Sequence, residues 1–247
     1  MRNLLAGLTA ALRLLTRVPV PGPETRPEHL PRAVAWFPLV GALVGLATAG
    51  ILVLALRWWP APVAAALAVG AGLLLTGGFH EDGAADAADG LGGGWTRERT
   101  VEIMRDSRIG SYGAMALWLL LTFRWAVLQA LGRSALVALP LAMVWGRWSM
   151  VALMTLLPSA SPGLSSRVAR DLGWKPLAGA TLLLALANLA GWALGVAGLW
   201  KPAAAALAVL ACWACYLRRR LGGQTGDLLG AGNQLVEAAV LLLLLVR

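Results

Sequence analysis

Apolar runs punctuate the chain at lengths able to cross about 30 Å of hydrocarbon, which takes roughly 20 helical residues. They fall near 33–56, 61–79, 110–132, 134–157, 176–199, 202–217 and 228–246. Inside lipid only helices and closed barrels satisfy every backbone N–H and C=O, and runs this long and continuous suit helices. The expected fold is an all-α, polytopic integral membrane bundle of about seven transmembrane helices, with a range of six to eight. The range reflects the short or alanine-rich second and sixth runs and the interruption of the seventh by Asn233, Gln234 and Glu237. Composition agrees, since 59% hydrophobic and 13% charged residues leave too little polar surface to clothe a soluble globule of 247 residues. With no internal repeat or second domain in evidence, residues 1–247 read as one membrane-embedded unit.

The net charge of +9 would suggest nucleic acid in a soluble protein; in a membrane chain it reports topology, and no nucleic-acid partner is expected. With the N-terminus inside, inner segments hold five basic residues before the first span, then Arg97, Arg99, Arg105 and Arg108, then Arg167, Arg170 and Lys175, then Arg218 to Arg220. That is fifteen against four outside (Arg57, Arg133, Lys201 and Arg247), with Arg124 and Arg147 left within spans. The loops between 79 and 110 are then cytoplasmic. Arg2, Arg13 and Arg17 share roughly 60° of a helical wheel, which predicts an N-terminal amphipathic helix lying at the membrane interface rather than a cleaved signal peptide. Cys212 and Cys215, in C-W-A-C without a second pair, read as core packing.

Seven of the twelve acidic residues crowd into one loop: Glu81, Asp82, Asp86, Asp89, Glu98, Glu102 and Asp106. If the second span continues as a helix past the membrane surface, Asp82, Asp86 and Asp89 lie within about 60° on one face. Three anions there repel one another unless a cation joins them. Oxygen donors without Cys or a second His suit Mg²⁺, or Mn²⁺, which shares its shell with substrate phosphates. The competing reading is a solvated loop balanced by arginines. Glu81 is a fourth candidate ligand; His80 is a candidate base, or a structural residue at a helix end.

Further on, Arg105 and Arg108, beside Asp106 and before G-S-Y-G, have the forked geometry that grips phosphate oxygens, whereas Arg97 and Arg99 read as topological anchors. A polar stripe of Asp227, Asn233, Gln234 and Glu237 enters the last span. Ionisable groups there usually face a cavity or a partner, so these residues are candidate walls of a substrate site, with Arg147 a candidate neighbour. A helix-packing network involving Arg147 is the competing reading.

The segment G-G-F-H-E-D-G-A-A-D-A-A-D-G-L-G-G-G followed by E-I-M-R-D-S-R-I-G-S-Y-G resembles the signature of the cobalamin synthase (adenosylcobinamide-GDP ribazoletransferase) family. The likeness extends to L-T-R-V-P-V-P, W-F-P-L-V-G-A-L-V-G, G-R-W at 146–148 and G-G-Q-T-G-D-L-L-G-A, covering the chain in order. Ala84 replaces a residue that is often larger, and Gln224 a common aromatic; neither removes a candidate ligand. The resemblance implies a Mg²⁺-dependent enzyme of the bacterial cytoplasmic membrane. It would join adenosylcobinamide-GDP to α-ribazole or its 5′-phosphate and release GMP. The bilayer is its other partner, and a homo-oligomer is compatible with the sequence. The G-x-x-x-D-x-x-x-D spacing from Gly78 to Asp86 is also similar to part of the CDP-alcohol phosphotransferase motif, so a phospholipid synthase is the alternative enzyme; an ion-coupled transporter is the alternative from another class.

Overall fold

The computed structural model describes residues 2–21, 29–170 and 172–246. Arg26 and Arg247, two of the charges counted for topology, lie outside the described residues. Every extended element is helical: α1 (Arg2–Leu15), α2 (Leu30–Ala33), α3 (Phe37–Ala55), α4 (Ala61–Thr76), α5 (Phe79–Gly93), α6 (Arg97–Met104), α7 (Ser111–Leu131), α8 (Ala135–Leu156), α9 (Leu164–Arg170), α10 (Lys175–Ala193), α11 (Trp200–Leu221) and α12 (Gly226–Leu245).

Five helical stretches are long and apolar enough to cross a membrane, and the bent pair α4–α5 supplies a sixth. One of the five, Ser111–Leu156, is 46 residues long and cannot be a single straight rod. Arg124 and Arg147 both reach Glu237, whereas at 1.5 Å per residue a straight helix would hold them about 34 Å apart. The chain therefore folds back at Gly132–Ser134 and α7 and α8 are separate helices, which makes seven candidate crossings among the described residues when the bent pair is taken as one. The protein is a multi-pass membrane protein of the expected class.

Close packing of backbones organises the core, as it must where lipid is as apolar as leucine. A Cβ on Gly45 would lie 2.7 Å from the Pro140 Cα, and one on Gly41 2.6 Å from the Met143 carbonyl oxygen, so α3 and α8 touch along a glycine face. Against α8 also lies α12, and α5 packs between α7 and α12.

The structure corrects three expectations. The second span does not run on into the acidic segment: Gly77 and Gly78 adopt φ of +68° and +66°, and α5 leaves α4 at 89°. Left-handed backbone at both positions costs any other residue roughly 1–2 kcal/mol. Next, α1 ends at Leu15, so Arg17 lies beyond it; the Arg17 backbone donates to the Leu75 carbonyl at 2.7 Å and its side chain packs on Gly77. Finally, Cys212 and Cys215 are free and exposed on α11 rather than in the core, an outward position suited to lipid.

Gly45→Val is expected to drive α3 from α8 and lower the thermal unfolding midpoint in detergent, since overpacking typically costs ~1–3 kcal/mol. Gly50→Ala, with nothing within 4 Å of its added carbon, should leave the midpoint unchanged.

Candidate functional site

Four charged side chains meet inside the bundle. Arg124 of α7 donates to Glu81 of α5 at 2.8 Å, to Gln234 at 2.5 Å and to Glu237 at 2.8 Å, both on α12. Glu237 also accepts from Arg147 of α8 and, at 2.9 Å, from Asn233, while Gln234 donates back to Glu81 at 3.0 Å. All six side chains are buried. Two positive and two negative charges balance, and the shared hydrogen bonds make their removal from water tolerable. Thus Glu237, Asn233, Gln234 and Arg147 meet in a hydrogen-bonded network of the kind the competing reading described, with Arg124, to which the sequence assigned nothing, at its centre, while Gln234 also lines a groove, as a wall residue would. Its only sequence signal is an arginine inside a span.

The network is incompletely satisfied. The second oxygen of Glu81, the Asn233 side-chain oxygen and both ring nitrogens of His80 are buried without a hydrogen-bond partner among the described residues. His80 is sealed from solvent and stacks edge-on with Phe79.

The acidic face of α5 has a different setting. Asp82 is exposed, Asp86 half-buried and Asp89 buried, one turn after another along the expected face. Asp89 accepts from the backbone N–H groups of Gly110 at 2.7 Å and Gly113 at 2.8 Å. It thereby caps α7, whose first amides have no partner within their own helix and carry partial positive charge. Asp82, Asp89 and Asp227 all repel Asp86, and Asp227 adjoins α5 where a Cβ on Gly83 would lie 3.1 Å from the Asp227 Cα. Hence Asp227 joins the acidic face, whereas the rest of the stripe on α12 does not.

From Asp89 a polar cavity of about 480 Å³ opens between α5, α6 and the start of α7, lined by Arg99, Glu102, Asp106, Arg108, Ser111 and Tyr112 among others. Arg108 and Asp106 pair through both carboxylate oxygens, the shortest contact being 2.6 Å. Hydrogen bonds from Arg108 pull the Asp106 carboxyl down to about 2, and Asp106 in turn raises Arg108. Both groups are therefore ionised throughout the neutral range. Arg99 pairs with Glu102 at 2.8 Å. Arg105 donates to the Pro162 carbonyl at 3.1 Å and Arg97 to that of Ala160 at 2.9 Å, so α6 holds the 158–163 turn. The same turn pairs with Gln224 through backbone hydrogen bonds of 2.8 and 2.9 Å. Opposite the acidic face, Ala84, Ala87, Ala88 and Leu91 line an apolar groove of about 500 Å³ against α7, α11 and α12.

No group of three or more His, Cys, Asp or Glu side chains among the described residues is disposed to hold a metal ion. Asp82 and Asp86, one turn apart and flanked by Asp227, are instead a two-carboxylate face. That donor set fits Mg²⁺, which is bound by one or two carboxylates and completes its shell with water and substrate phosphate.

The family profile described as cobalamin-5-phosphate synthase matches residues 7–245. A protein of Leptothrix cholodnii named adenosylcobinamide-GDP ribazoletransferase is 45% identical, over 94% of this chain and 92% of its own length. Proteins of the same name from Ralstonia nicotianae and Chlorobaculum tepidum are 42% and 38% identical, covering 99% and 97% of this chain and 96% and 95% of their own. No solved structure matches the chain.

Glu237→Gln would strip the balancing charge from Arg147 and weaken the hold on Arg124. Breaking a buried pair in this way costs about 3–5 kcal/mol, against about 0–1 kcal/mol for the exposed pair lost in Arg99→Ala. Thermal unfolding in detergent should therefore show a large drop for the first variant and almost none for the second.

Proposed function

The chain belongs to the cobalamin-5-phosphate synthase family, and on that premise we propose that it is an adenosylcobinamide-GDP ribazoletransferase. It transfers the adenosylcobinamide-phosphate group of adenosylcobinamide-GDP to α-ribazole or α-ribazole 5′-phosphate and releases GMP. The observation that carries this reading is the alignment of Asp82, Asp86 and Asp89 along one face of α5, leading into the cavity walled by Asp106 and Arg108.

A ribose hydroxyl of the ribazole attacks the phosphorus that bears the cobinamide ester. The new P–O bond forms as the P–O bond to GMP breaks, and the hydroxyl proton must leave. A carboxylate oxygen of Asp82 or Asp86 that is not engaged by a cation is open enough to receive it, whereas the sealed His80 is not. Arg108 grips a phosphate oxygen once Asp106 yields it, and Arg105 is the second fork at this edge. Asp82 and Asp86 would hold Mg²⁺, or Mn²⁺, which would supply positive charge beside the diphosphate.

Neither alternative suits the arrangement as well. A phospholipid synthase leaves the 103–113 and 225–231 segments without a role. A transporter would expose ionisable groups along a mid-membrane path, but Glu81 and Glu237 are locked to arginines. The distribution of Lys and Arg supports a place in the bacterial cytoplasmic membrane with the 79–110 region on the cytoplasmic side.

In lipid-reconstituted protein, GMP formation should require adenosylcobinamide-GDP, the ribazole acceptor and Mg²⁺, and should vanish in Asp82→Ala. Absence of GMP from well-folded wild-type protein would refute the assignment. Losing one charge-assisted grip of ~1.5–3 kcal/mol, Arg108→Ala should raise the KM for adenosylcobinamide-GDP by about tenfold or more. Ser107→Cys, in a chain with Cys212 and Cys215 changed to Ser, should react with an impermeant thiol reagent only from the cytoplasmic side; labelling from the opposite side alone would invert the topology.

A further inference from the structure

The acidic helix α5 enters through two glycines with left-handed backbone, and no side chain caps its first turn. Nothing local fixes its direction. Two carboxylates hold it through long-range contacts, one near each end, and both reach α7, with Gln234 of α12 sharing the first. In the first turn Glu81 accepts from Arg124, and about two turns later Asp89 accepts from the amides of Gly110 and Gly113. Glycine is required at both amides, since a Cβ on either would run into the Asp89 carboxylate. Asp82 and Asp86 lie between the two contacts and have no part in either.

We infer that the acidic residues of this segment divide their work: Glu81, through Arg124, and Asp89, through the first turn of α7, are positioning residues, and they hold Asp82 and Asp86 in place as the metal-binding pair. The sequence makes the four carboxylates look equivalent; their partners make them different. A carboxylate engaged by an arginine or by two amides is fixed in direction: Asp89 toward the start of α7, and Glu81 into the junction of Arg124 with Gln234 of α12. The anchors turn α5 as a rigid element, so slack at either end displaces the pair and weakens its grip on a cation. Second-layer contacts of this kind typically change metal affinity by roughly 10–100-fold. The inference rests on the metal-dependent transferase reading above.

Two readouts test it: Mn²⁺ binding to the lipid-reconstituted protein, followed by electron paramagnetic resonance of the free ion, and GMP formation as a function of Mg²⁺ concentration. Asp82→Asn and Asp86→Asn should abolish Mn²⁺ binding. Arg124→Lys, Asp89→Asn and Gly113→Ala should keep one binding event with a Kd raised about tenfold or more, and excess Mg²⁺ should restore much of their activity. Loss of all Mn²⁺ binding in a folded Asp89→Asn protein would make Asp89 a ligand and overturn the division. An unchanged Kd in all three anchor variants, even with lowered thermal stability, would make the contacts merely structural and overturn it as well. Wild-type protein that forms GMP without binding Mn²⁺ or needing Mg²⁺ would instead refute the metal dependence itself. The three failures are thus distinguishable.

Discussion

Charge is expensive inside a membrane protein, and this bundle is organised around four charges that neutralise one another there. Arg124 and Arg147 together engage Glu81 and Glu237, joining α5, α7, α8 and α12 at one place. Greasy helices can slide or rotate against each other at little cost, because lipid and leucine are interchangeable neighbours. Directional ion pairs remove that freedom. An arginine that must meet a glutamate on one side and a glutamine on the other permits one rotation and one depth for each helix it touches.

The same constraint explains why an irregular element survives at this position. Phe79–Gly93 carries four carboxylates and turns sharply from the apolar helix before it, so it could not face lipid. It is enclosed by α7 and α12 instead, with one face given to close packing and the other to a polar cavity. The glycines of the motif separate into those that allow the turn, Gly77 and Gly78, and those that let backbones approach, such as Gly83 against Asp227. Alanines fill the remaining face, beside the apolar groove. The acidic site and the groove are therefore back to back on one short helix.

Much of this was legible in the chain. Apolar length determined the crossings, and the hairpin at 132–134 agrees with two runs read separately. The 3.6-residue period correctly grouped Asp82, Asp86 and Asp89 even though the helix that carries them is not a continuation of α4. Partnership was not legible. Periodicity places a residue on a face of its own helix but does not say which helix stands opposite, so Glu81 and Asp89 looked like their neighbours and Glu237 looked like a cavity wall. Arg124 had no local pattern at all, since its three acceptors come from residues far away in the chain. The cysteine pair shows the opposite limit: hydrophobic character alone does not separate a core position from one facing lipid.

The separation of partners along the chain also sets an order of assembly. Glu81 is synthesised well before Arg124, and Gln234 follows it by 153 positions. At translation rates of ~5–20 residues per second, the acidic helix waits about 8 to 30 s before the last of its partners exists. Asp89 and Glu81 gain their α7 partners after 21 to 43 further residues, but Gln234 arrives only at the end of that interval. The double-glycine turn lets the nascent chain keep both states at once, an inserted helix and a waiting one. The enclosure of α5 is complete only once the C-terminal helix, which carries Gln234, has been made.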